Sequence, residues 1–152
     1  MEIRDLLDPK LILTDLKGET KQAVLREAAE LIAAEHKLNA EEIFQILVER
    51  EELGSTGIEE GLAIPHGKHR DVRDMVMCVA RSTRGIDFES RDGKPTHLFV
   101  VLIAPENDAG KHLKALARVS RIFKQPQVRQ ALIEASDRDA IVSIISEEAS
   151  KS

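Results

Sequence analysis

Apolar and polar residues follow two different rhythms along this chain. From Thr20 to about His36, Val24, Leu25, Ala28, Leu31 and Ile32 recur at helical spacing, which predicts an amphipathic helix. Asn39 followed by Glu42 resembles a capping box that opens a second helix running to about Glu51. Leu11–Leu13 reads as a short strand, and Leu62–Ile64 as a short buried one ending at Pro65. Met75–Ala80 and Leu98–Ala104 are continuous apolar runs, the pattern of strands covered on both faces. Arg91-Asp92-Gly93-Lys94 is a turn signal, so Ile86–Phe88 is expected to pair with the strand beginning near Thr96. After Pro105 the rhythm is helical again. Asp108 is the expected N-cap, with Leu113, Leu116, Ala117, Ser120 and Phe123 on the apolar face. Pro126 suits the first turn of the next helix, which ends near Ala135. Ser136 and Asp139 form a further capping-box candidate ahead of Ala140, Ile141, Ile144 and Ile145. Strands alternating with helices predict an α/β sandwich, its mixed parallel/antiparallel sheet flanked by helices.

Length and composition narrow this picture. A chain of 152 residues matches one domain spanning 1–152, long enough to bury about 68–70% of its unfolded surface. The formal charge of −5 argues against nucleic acid and anionic membrane as generic partners. With no Trp or Tyr and only four Phe, a platform for stacking bases is missing as well. The single cysteine, Cys78, excludes an intramolecular disulfide framework and a thiolate-rich zinc site, and its apolar run makes it a buried small hydrophobe. No run approaches the roughly 20 apolar residues that cross a bilayer, and the start has no secretory layout, so a cytoplasmic protein is expected.

Backbone freedom is concentrated in one place. Four of the eight glycines fall between Gly54 and Gly67. Of the five histidines, His36 lies at a helix C-terminus, His97 opens a strand, and His69 sits in the charged stretch Lys68-His69-Arg70-Asp71, which reads as solvated loop. His66 differs, because Pro65 fixes the incoming backbone and Gly67 lets the chain turn sharply or approach a ligand closely. A strand end that delivers a histidine into a glycine-rich loop is a common setting for binding and catalytic residues. A metal site built on His66 and His69 has no standard set of further ligands.

The segment Gly61-Leu62-Ala63-Ile64-Pro65-His66-Gly67, with Gly54-Ser55-Thr56-Gly57 upstream, resembles the active-site segment of enzyme IIA domains of the fructose–mannitol type. These belong to the bacterial phosphoenolpyruvate-dependent sugar phosphotransferase system, whose IIA domains include a nitrogen-regulatory branch. Arg84–Phe88, Asp92–Pro95, Leu102–Pro105 and His112–Ala117 follow in the family's order, so the likeness runs from about Leu6 to Ile145. It implies a phosphohistidine carrier: His66 would accept a phosphoryl group from an HPr-type carrier and pass it to a IIB domain or report it to regulatory targets. The family's second histidine matches His112 and its arginine matches Arg50. Ser55, Thr56 and Gly67 are candidate phosphate contacts, and no cofactor is implied. At Glu59 the family usually has a small residue; the carboxylate is expected to point outward, altering partner choice more than chemistry.

An imidazole nitrogen is a good nucleophile near neutral pH, and an arginine fork suits the oxygens of a transferred phosphoryl group. Two other classes compete: a binding module that kept the fold without the chemistry, and a metal-dependent hydrolase using His66 and His69.

Overall fold

The computed structural model describes residues 2–151. Six helices occur in them: α1 (Ile3–Leu6), α2 (Lys21–His36), α3 (Ala40–Glu52), α4 (Ala109–Phe123), α5 (Pro126–Glu134) and α6 (Arg138–Ser150). The strands are β1 (Ile12–Leu13), β2 (Leu62–Ala63), β3 (His66–His69), β4 (Val76–Ile86) and β5 (Thr96–Pro105). Helix starts follow the expected chemistry. Thr20, Asn39 and Asp108 each accept a backbone N–H three residues on, from Ala23, Glu42 and Lys111. For α6 the cap is Asp137, bonded to Ala140 N–H, and not Ser136; the carboxylate one residue later takes the N-cap position. The short α1 had no periodic signal to announce it.

The sheet is mixed. β4 and β5 form the long antiparallel pair, β1 adds parallel to β4, and β2 and β3 both add parallel to the far side of β5. Ile86 pairs with Thr96 as the turn signal predicts, with a register irregularity between Arg81 and Ile86. Side chains alternate across the central strands. Val79, Leu98, Val100 and Leu102 pack toward α1, α4, α5 and α6, while Cys78, Ala80, Phe99 and Val101 pack toward α2 and α3. Both faces are therefore covered, which explains the uninterrupted apolar runs.

Two expectations about faces are corrected. On α4 the buried residues are His112, Ala115, Val119, Ile122 and Phe123. Leu113 is 67% exposed and Ala117 is exposed too, so the helix is rotated by about one residue from the predicted stripe. The second concerns His69, which is 2% exposed, not solvated. Residues 66–69 are a strand, and period-2 alternation carries the His69 ring inward while Lys68 and Arg70 stay in water.

The feature that matters most for the site is the edge of β5. β2 and β3 run along it end to end, interrupted at Ile64 and Pro65. Pro65 has no N–H to donate, but its carbonyl accepts Leu102 N–H at 3.0 Å and keeps the chain on the edge. His66 is the first residue after this break.

Candidate functional site

His66 is half-buried, and both of its ring nitrogens are engaged. Nδ1 lies 2.9 Å from the carbonyl of Ile64, which can only accept, so Nδ1 carries the proton. The lone pair is thus on Nε2, where it accepts Arg50 Nε–H at 3.2 Å. Arg50 comes from the last turn of α3, and its Nη1 donates to the carbonyl of Gly54 at 2.9 Å. Burial, reinforced by the Arg50 charge, holds the His66 imidazole below its ordinary value of 6.5, against the Ile64 carbonyl and the Glu51 charge. The ring is neutral at pH 7 with a single tautomer favoured.

His112 approaches from the opposite helical layer. It is the fourth residue of α4, 7% exposed, and its ring centroid lies 5.5 Å from that of His66. Burial first, then the neighbouring His66 and Lys68, hold it low too, so His112 is neutral despite its capacity for charge. Its Nδ1 is buried and makes no hydrogen bond. A buried polar atom without a partner is uncommon and needs an explanation, of which a catalytic or ligand role is one.

Arg50, His66 and His112, far apart in sequence, therefore converge at a cleft of about 690 Å3 between α3 and β3. Arg50 and His66 also line a smaller one of about 340 Å3, bordered by Thr56, Arg91 and Leu116.

The glycine-rich loop is tied to Phe88 and to α3. Ser55 Oγ donates to the Phe88 carbonyl at 2.6 Å and accepts Gly57 N–H at 2.9 Å. The Thr56 hydroxyl and N–H both go to the Glu51 carboxylate. The hydroxyl protons expected to meet a phosphate are thus occupied in bracing the loop. Gly67 makes no turn: it stands inside β3 against α3, and it lines the cleft that holds His66. A Cβ there would come within 2.1 Å of Ile46 Cγ2, so its missing side chain permits the two elements to touch. Glu59 is exposed and borders neither cleft that contains His66, in keeping with the outward expectation.

The other histidines fall into place. His36 is exposed at the end of α2, and His97 Nδ1 donates to the Ser82 carbonyl at 2.9 Å. His69 Nε2 lies 2.9 Å from Glu42 Oε1, while its Nδ1 accepts Asp71 N–H at 3.0 Å. Three residues apart on a strand, His66 and His69 face opposite ways, so the paired-ligand arrangement expected for a hydrolase does not form. Cys78 is buried with its thiol pushed up to about 12, which removes it as a nucleophile. Two residues of the site went unnoticed in the sequence: Glu51, and the Lys21 whose Nζ lies 2.9 Å from it. No local spacing announces an ion pair between helices thirty positions apart.

Comparisons with known proteins find relatives along nearly the whole chain. A family model described as phosphoenolpyruvate-dependent sugar phosphotransferase system, EIIA 2, matches residues 5–148. A nitrogen regulatory protein of Bradyrhizobium diazoefficiens is 40% identical over 145 residues, 95% of each chain. The fructose-specific EIIABC component of Bacillus subtilis is 36% identical over 148 residues, which are 97% of this chain and 23% of that one. Among solved structures, nitrogen regulatory protein IIA-Ntr of Neisseria meningitidis superposes with a TM-score of 0.88 at 34% identity, covering 94% of this chain and 98% of its own.

Proposed function

Because the chain belongs to the EIIA 2 family of the phosphoenolpyruvate-dependent sugar phosphotransferase system, we propose that it is a phosphohistidine carrier with His66 as the acceptor. The observation that carries this reading is the fixed tautomer: Nδ1–H is spent on Ile64, and the Nε2 lone pair faces Arg50 at the cleft. In the transfer, that lone pair forms a bond to phosphorus while the bond from phosphorus to the donor's imidazole nitrogen breaks. The donor leaves with the electron pair, and the Nδ1 proton stays on His66. Arg50 turns its N–H groups from Nε2 to the phosphoryl oxygens, where a planar cation offsets charge spread over three oxygens. His112 supplies a second neutral donor or acceptor beside them.

The donor is an HPr-type phosphocarrier protein, and the recipient is a IIB domain or a regulatory target. Leu53, 85% exposed on the His66 cleft, and Leu113, 67% exposed next to His112 in the chain, give those partners an apolar footing. The place for such a protein is the cytoplasm; no helix among the described residues is long and apolar enough to cross a membrane. Of the two branches, the nitrogen-regulatory one is favoured by 40% identity across 95% of both chains to a protein of that name. The test is intact mass after incubation with phosphoenolpyruvate, enzyme I and an HPr-type carrier, with His66→Ala in parallel. One acid-labile phosphoryl unit on the wild type and none on the variant is the expected result. No uptake from several carriers would overturn it in favour of a binding module on the same fold.

A further inference from the structure

The adjacent residues Arg50 and Glu51 divide the work around His66 between them. Arg50 reaches the ring directly, whereas Glu51 turns the other way, its side chain 6% exposed, and binds the loop. Its Oε1 accepts Thr56 N–H at 3.0 Å and its Oε2 accepts the Thr56 hydroxyl. The Thr56 carbonyl accepts Ile64 N–H at 3.1 Å, and the Ile64 carbonyl is the group that accepts His66 Nδ1–H. Three hydrogen-bonded steps, joined through the backbones of Thr56 and Ile64, therefore link the Glu51 carboxylate to the far nitrogen of the His66 ring. The carboxylate is held from behind by Lys21 Nζ, which also stands 4.7 Å from the centre of the Phe88 ring.

We propose that Glu51, seated by Lys21, is a positioning residue for His66: through Thr56 and Ile64 it fixes the tautomer that leaves Nε2 free, and its charge offsets the positive charge the ring acquires on phosphorylation. The inference rests on the phosphocarrier reading for its last clause only. A ring that keeps Nδ1–H while Nε2 bonds to phosphorus is cationic, just as a protonated imidazole is. Arg50 opposes that charge and Glu51 favours it, the pair acting on His66 with opposite signs. Arg50 therefore serves the phosphoryl group and Glu51 the ring beneath it. The buried carboxylate takes two donors from Thr56 and a lysine whose other acidic partner, Glu89, is exposed.

The test is nitrogen NMR of the His66 ring in the full chain, read together with phosphoryl acceptance, for Glu51→Gln, Thr56→Val and Thr56→Ser. Glu51→Gln should mix the two His66 tautomers, lower the ring's titration midpoint and slow acceptance about 10- to 100-fold. Thr56→Val should mix the tautomers with little change of midpoint, because the charge remains, and Thr56→Ser should recover what Thr56→Val loses. Ring spectra unchanged from wild type in both Glu51→Gln and Thr56→Val would overturn the proposal. Should Glu51→Gln fail to fold, the Thr56 pair decides: equal spectra for the Val and Ser variants overturn it. The ring spectra need no phosphoryl donor, so a wild type that takes up no phosphate sinks the carrier reading while leaving the tautomer relay standing or falling on its own.

Discussion

At the scale of single residues, the site depends on keeping two histidines neutral. His66 and His112 are both held below the ordinary imidazole value of 6.5, chiefly by burial. A group with a depressed folded pKa binds more protons when unfolded. Folding stability is thus fully present above 6.5 and declines as the pH falls through the folded values. Nucleophilicity follows the same direction, since a proton on Nε2 removes the lone pair. Phosphoryl acceptance measured against pH should therefore be flat from 7 to 8 and fall below 6.5, with its midpoint under that value in the wild type. A midpoint at or above 6.5 would contradict the burial argument. Arg50 adds a geometric requirement to the electrostatic one: Nε bonds the ring while Nη1 is tied to Gly54. Arg50→Ala should lower acceptance about 100-fold, in line with the loss of one preorganised donor. Arg50→Lys should recover only part, because a point charge cannot hold both contacts at once.

At the scale of elements, the site exists because α3 and β3 touch. Arg50 is on one and His66 on the other, and the contact between them passes through Gly67 and Ile46. A Cβ at position 67 collides with a β-branched side chain that has one preferred rotamer in a helix, so α3 has to move. Gly67→Ala should cost about 1–3 kcal/mol by overpacking and reduce phosphoryl acceptance as well. Ile46→Ala should restore most of both losses in the double variant, measured by denaturant unfolding and intact mass; additive effects would show that the contact is not the cause. A turn at Gly67 does not form, since glycine between histidine and lysine carries no sign of the helix that lies across from it. The same blindness affected His69 and α4. Exposed charges surround His69, but a strand needs only alternate residues in water. On α4 two stripes one residue apart are both consistent with helical spacing, and treating His112 as polar selects the wrong one. The helix buries that histidine beside His66 and turns Leu113 outward. The caps of α2, α3 and α4 and the strands of the central pair were legible because their chemistry is local.

For the whole molecule, the rotation of α4 has a consequence for partners. Placing His112 in the site leaves Leu113 67% exposed next to it, and the end of α3 leaves Leu53 85% exposed at the same cleft. These two are the large hydrophobics left exposed among the described residues: Leu53 lines the cleft that holds His66, and Leu113 follows His112 in the chain. Charges of both signs line that cleft, among them Glu49, Glu106, Lys68 and Arg70. Exposed apolar contacts beside a cleft of mixed charge suit a donor protein that presents an apolar patch around its own phosphohistidine. Neither leucine supports the core, so replacing them separates docking from chemistry. Leu53→Glu and Leu113→Glu should each raise the KM for the carrier protein about 10-fold, with kcat nearly unchanged. Their Tm should stay within about 2 °C of wild type, as expected for surface substitutions of under about 0.5 kcal/mol. A fall in kcat at unchanged KM would instead place the leucines in the ordering of His112, and the partner surface would have to lie elsewhere on the chain.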